Sequence, residues 1–179
     1  MSSMSSGQEV TFSENEFIVS KTDLQGTITY VNRTFMKVSD FSTLELLGKP
    51  HNVIRHPDMP RGAFRHLWET LKSGQEWFGF VKNRTKNGDF YWVFANVTID
   101  QEDGKPIGYY SVRRPAPRGA LQVIEPIYAK MREIEMGKSS AEGAKASVAY
   151  LEQLVKEKQQ SYRDFILGLY IQNNPQEEA

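Results

Sequence analysis

The chain has 179 residues, 39% of them apolar, which suits one domain of ordinary size with an appendage. Lysine plus arginine and aspartate plus glutamate balance at 22 each, so no basic field invites nucleic acid. With no cysteine, disulfides, thiolate metal sites, thiol nucleophiles and cysteine photoadducts are excluded, and a reducing cytoplasm is the simplest home.

No apolar run approaches the roughly 18 residues of a membrane span, and the first ten residues lack a signal pattern. Residues 1–15 read as a polar, loosely held arm. Residues 16–22 and 27–31 (TITYV) read as strands joined by the turn Asp23-Leu24-Gln25-Gly26. Asn32 is placed to cap a short helix around Thr34 to Val38. Ser42 and Glu45 have capping-box spacing for a second, stopped at Gly48.

Residues 50–60 (PHNVIRHPDMP) set two of the three histidines, an arginine and an aspartate among three prolines. Prolines pin this backbone, and polar groups on a stiff segment suit a binding wall or, equally simply, a solvated loop with a His–Asp hydrogen bond. Residues 61–73 predict an amphipathic helix with Phe64, Leu67, Trp68 and Leu71 along its core stripe and His66 off it, toward solvent.

Residues 77–99 (WFGFVKNRTKNGDFYWVFANVTI) carry the strongest local signal: two aromatic, β-branched runs joined at Asn87-Gly88. Alternation puts Trp77, Gly79, Val81, Asn83, Tyr91, Val93, Ala95 and Val97 on one face. The other face holds Phe78, Phe80, Phe90, Trp92 and Phe94 and is too aromatic to stand in water. The first face has small residues that leave volume and polar ones that could orient a guest, although ordinary core would read the same way. A third strand follows over residues 106–114.

After Arg114 the composition changes. Residues 116–138 read as a linker helix interrupted by Pro126, which kinks it or starts it. Residues 139–172 read as one long amphipathic helix opened by the Ser139/Glu142 capping box. Its heptad-like seam is Ala144, Val148, Leu151, Val155, Tyr162, Phe165 and Leu169, broken at Lys158. That seam suits a helical partner, and hence a homodimer, or docking on the chain's own sheet. Residues 173–179 form a polar tail that slightly favours a soluble sensor over a receptor fragment.

The order of elements, with the segments TDLQGTITYVNRTF, GKPHNVIRHPDMPRGAF, KNRTKNGDFYWVFAN and GYYSVR, resembles PAS domains. Within that family it is similar to the flavin-binding domains of bacterial aerotaxis receptors, over residues 20–114. The resemblance implies an α+β fold, with a five-stranded antiparallel sheet, short helices on one side and C-terminal helices after it. It also implies non-covalent FAD and a sensor of redox state or oxygen that signals to a protein partner. Residue by residue, Arg55, His56 and Asp58 match a flavin-supporting segment, and Trp77 and Asn83 match pocket positions. Arg113 matches a polar position facing the ring. From the residues themselves, Trp68, Trp77, Val81 and Val93 could wall a flat ring, and Asn83 offers both donor and acceptor. Arg55 and His56 could pair with a pyrophosphate or with charge added on reduction. Two other readings are a flavin-free dimerisation module and a haem sensor using His51, His56 or His66. No nucleophile–base pair or phosphate loop points to an enzyme.

Overall fold

The computed structural model describes residues 7–174. Five strands form an antiparallel sheet in the order β2-β1-β5-β4-β3: β1 Ile18–Asp23, β2 Ile28–Val31, β3 Trp77–Arg84, β4 Phe90–Glu102 and β5 Lys105–Pro115. Among the described residues six α-helices accompany it: α1 Arg33–Ser39, α2 Thr43–Leu46, α3 Arg61–Lys72, α4 Arg118–Glu135, α5 Ser140–Glu157 and α6 Tyr162–Asn173. The α+β fold expected from the sequence is the fold found. Among the described residues, no helix is long and apolar enough to cross a membrane.

The chain divides into two compact units. The first takes in residues up to 56 and residues 81–115. In it, Asn32 fastens the start of α1: its side-chain oxygen accepts from Phe35 N and from Val19 N, both at 3.0 Å, and its amide donates to Phe17 O at 2.7 Å. The α2 box closes as expected, with Ser42 N donating to Glu45 at 2.9 Å. Register sets Arg113 opposite Ile18 on one side and Ala95 on the other, so all three side chains share a sheet face. Of the arm, Val10 N donates to Phe90 O and Phe90 N to Gln8 O, while residues 1–6 lie outside the described residues. The aromatic face is covered in this unit at Trp92 and Phe94, both buried.

The second unit takes in residues 57–80 and everything after 115. One boundary falls after Pro115, and α3, from earlier in the chain, clusters with the C-terminal helices. The reason is Gly62. A Cβ there would lie 2.1 Å from Ser147 Oγ on α5, so α3 meets α5 at its smallest residue, and Ala63 beside it is buried. The expected stripe is correspondingly offset. Leu71 is buried, Phe64 and Leu67 are half-buried, and Trp68 is 36% exposed.

Three other expectations change here. Residues 139–172 form two helices, because Gln159 takes a left-handed conformation (φ 56°) and Ser161, accepting from Asp164 N at 3.1 Å, caps a new start. The break at Lys158 was the sign of it. Pro126 neither starts nor ends α4; it sits exposed within the helix and offers no amide to the Gln122 carbonyl one turn back. The α5 seam residues Val148, Leu151 and Val155 are buried in a helical cluster in which α5 packs on α3 and α4. The seam thus has partners within the chain. Of the tail, residues 175–179 lie outside the described residues.

Candidate functional site

In the first unit the inner sheet face carries a buried polar cluster around Arg113, which is only 2% exposed. Its Nη2 donates to Ser20 Oγ, and its Nη1 lies 3.4 Å from His51 Nε2, which is itself 3.1 Å from Ser20 Oγ. The guanidinium lies over the Phe35 ring at 4.7 Å. An arginine only donates, so His51 Nε2 serves as acceptor and the imidazole is neutral. Burial and the neighbouring Arg113 charge push His51 down to about 3. Burial also lowers Arg113, to about 10, which leaves it a cation at neutral pH.

Among the described residues Arg113 has no carboxylate partner, and its buried Nε has no hydrogen-bond partner at all. The Tyr91 hydroxyl is buried and equally without one. The Asn83 amide lies near that hydroxyl and Arg113 stabilises its ionised form, yet burial dominates and pushes Tyr91 up to about 12. Asn83 is 4% exposed, and its backbone bridges to Arg55 at the free edge of β3. His56 is buried with its ring edge-on to Phe90, centroids 6.0 Å apart.

Buried polar atoms without partners are rare in folded proteins. Here a cation, a phenol and an amide share one sheet face, and the first two have spare donors. That donor set fits an electron-rich, acceptor-bearing ring system such as the flavin that the resemblance implies.

The sequence-predicted residues thus fall in two groups. Arg55, His56, Asn83 and Arg113 lie in the first unit, with Asn83 and Arg113 sharing its buried face. Asp58, Trp68 and Trp77 lie in the second. There, Asp58 is half-buried and its carbonyl accepts from Arg132 Nη1. Trp77 is 2% exposed and lies across Gly79, where a Cβ would come 2.0 Å from its ring. Sequence reasoning passed over Ser20, His51 (except as an iron ligand), Phe35 and the special position of Tyr91. For Tyr91 the signal was present, since it alternates onto the Asn83 face.

Residues 28–113 match the family described as PAS fold, and the chain carries a PAS domain. Over 121 residues it is 47% identical to the aerotaxis receptor of Escherichia coli (strain K12), a match covering 68% of this chain and 24% of that receptor. It is 30% identical over 80 residues to the nitrogen fixation regulatory protein of Klebsiella pneumoniae, covering 45% of this chain and 16% of that protein. The chain spans a quarter or less of these relatives' length. Among solved structures, the light state of the blue-light photoreceptor Aureochrome1 LOV aligns with a TM-score of 0.53 at 16% identity, covering 68% of this chain and 93% of that one. That likeness is one of fold.

Proposed function

We propose that this PAS sensor domain binds FAD non-covalently and reports its redox state to a signalling partner in the cytoplasm, without catalysing a reaction of its own. The observation that carries this is the buried, carboxylate-free Arg113 with its orphaned Nε beside the orphaned Tyr91 hydroxyl. An unpaired buried cation is costly, and an electron-rich ligand relieves that cost. Its relatives, an aerotaxis receptor and a nitrogen fixation regulatory protein, support a sensing role.

A bound flavin supplies reversible one- and two-electron chemistry with a change of charge. The chain's residues then divide the work. Arg113 holds a fixed positive charge where negative charge can build up, and Tyr91 donates. Asn83 donates or accepts at a polar edge, and neutral His51 offers a ring nitrogen. By resemblance, Arg55 and His56 support the cofactor. A change of charge beside Arg113 rearranges these bonds, and a bistable packing carries the change to a partner or a second copy of the chain.

The test is the visible spectrum of the purified full chain, with heat release of the chromophore and chromatography to identify it. Flavin bands with FAD released support the reading, and redox titration follows. Protein that stays colourless with added FAD, and whose melting FAD does not move, overturns it.

A further inference from the structure

The second unit holds a three-residue contact that the cofactor reading does not use. Trp77 Nε1 donates to His66 Nδ1 at 3.0 Å. The Tyr162 ring lies against the His66 imidazole, centroids 4.0 Å apart and tilted by 51°, and stacks near Trp77 at 6.3 Å and 21°. The Tyr162 hydroxyl donates to Phe78 O at 2.8 Å. His66, expected to face solvent, is thus an internal joint between α3, the start of β3 and the first residue of α6.

Helix α6 depends on this joint. It follows the left-handed residue Gln159, which breaks it from α5, and it fully buries only Phe165 and Ile166. Beside Tyr162, Arg163 pairs with Glu76 at 2.9 Å and lies over the Phe78 ring at 5.2 Å. That ion pair is exposed and contributes little.

We propose that His66, Trp77 and Tyr162 form a proton-operated latch that seats helix α6, closed while the imidazole is neutral and open once it is protonated. The reason is geometric. An indole N–H can only donate, so Nδ1 must carry a lone pair and the neutral proton resides on Nε2. Protonation sets two N–H groups against each other at the present 3.0 Å. Trp77 cannot retreat, because its ring lies on Gly79, where a Cβ would sit 2.0 Å away. The imidazole therefore moves, and Tyr162 rides on it.

The titratable groups around the joint leave it set for closure at neutral pH. On α3, Glu69 favours the imidazolium but is paired with Arg65 at 2.8 Å. From the start of β3 and from α6, Glu76 and Arg163 neutralise each other. The Tyr162 and Tyr128 hydroxyls, from α6 and α4, are held un-ionised by burial. Burial of His66 outweighs Glu69 and lowers its pKa, so the latch is closed above the ordinary histidine range and opens as pH falls through and below it.

The experiment is NMR on the full chain, following the Trp77 indole N–H, assigned by its loss in Trp77→Phe, together with amide exchange in residues 162–173. In the wild type, exchange in α6, corrected for its intrinsic pH dependence, rises about tenfold or more between pH 7 and pH 5, in step with the indole signal. His66→Gln keeps an acceptor that cannot be protonated; there α6 stays protected and the step disappears. Tyr162→Ala frees α6 at both pH values while the indole signal still titrates. The proposal is overturned if α6 keeps its protection, or gains more, while His66 takes up its proton. It is equally overturned if His66→Gln releases α6 over the same pH range as the wild type.

Discussion

Among the described residues each compact unit buries one charged side chain, and the two are treated in opposite ways. In the second unit Glu135, 5% exposed, is saturated with donors: Arg61 N at 3.0 Å, Gly62 N at 2.9 Å, Arg61 Nε at 3.3 Å and Ser147 Oγ at 2.6 Å. Proline at position 60 gives α3 no side-chain cap, and Glu135 of α4 takes that place, a carboxylate against the positive end of a helix. In the first unit Arg113 has only neutral neighbours and an orphaned Nε. A closed buried network holds helices together; an open one leaves capacity for something else to bind. The difference separates a closed polar network from an open one, and on the proposed function the open one receives the ligand.

The sharpest way to break this comparison is Glu135→Ala. It strands two amide donors and part of the Arg61 charge, and urea unfolding is expected to show a loss of about 3 kcal/mol. A loss within experimental error would mean that Glu135 is not the keystone described. Arg113→Met should act the other way: the ligand-free chain keeps or gains stability, while FAD affinity measured by fluorescence titration falls about tenfold or more. Equal affinity with a large loss of stability would place Arg113 in the cohesive class instead.

Acid should then reach the Arg113 cluster before the Glu135 network. His51 has a lowered folded pKa, so the unfolded chain binds its proton first. Its contribution is full above about 6.5 and declines as pH falls toward about 3. We expect a loss on the order of 1 kcal/mol between pH 7 and pH 5, flattened in His51→Gln, by thermal melting. Burial raises Glu135, but its donors Ser147, Gly62 and Arg61 outweigh that and hold it below the usual carboxylate range. Its contribution is therefore present above about 4.5 and is lost only as pH falls further. The smallest effect is Tyr91→Phe, which removes an unpaired hydroxyl. Ligand-free stability should stay within about 0.5 kcal/mol or rise, and only FAD binding should weaken.

Local signals wrote most of the fold into the sequence. The Asn32 cap, the Ser42 and Ser139 boxes, the Asn87-Gly88 hairpin and its alternation all act within a few residues. What could not be read depended on distant contacts. The α3 stripe was misjudged because a glycine at position 62, invisible to a hydropathy pattern, lets α5 approach. His66 was assigned to solvent because its partners, Trp77 and Tyr162, come from elsewhere in the chain. The break in residues 139–172 was half legible, since Lys158 interrupted the seam, but only Gln159 and Ser161 together turn an interruption into a stop. At the candidate site, Asn83 and Arg113 were legible through resemblance. Ser20, His51 and Phe35 were not, because no periodicity links a strand, a turn and a helix around one guanidinium.

The second unit is discontinuous: α3 and the first residues of β3 come from residues 57–80, and their helical partners come from beyond 115. During synthesis the α3 segment must therefore wait for roughly ninety more residues, some 5–20 seconds at ordinary elongation rates, before its glycine face and its uncapped N-terminus find α5 and Glu135. A truncation at residue 115, where a PAS domain would by habit be cut, makes that wait permanent. Fragments ending there should be recovered in lower yield and aggregate more readily than the chain that continues through α6, whatever cofactor is supplied.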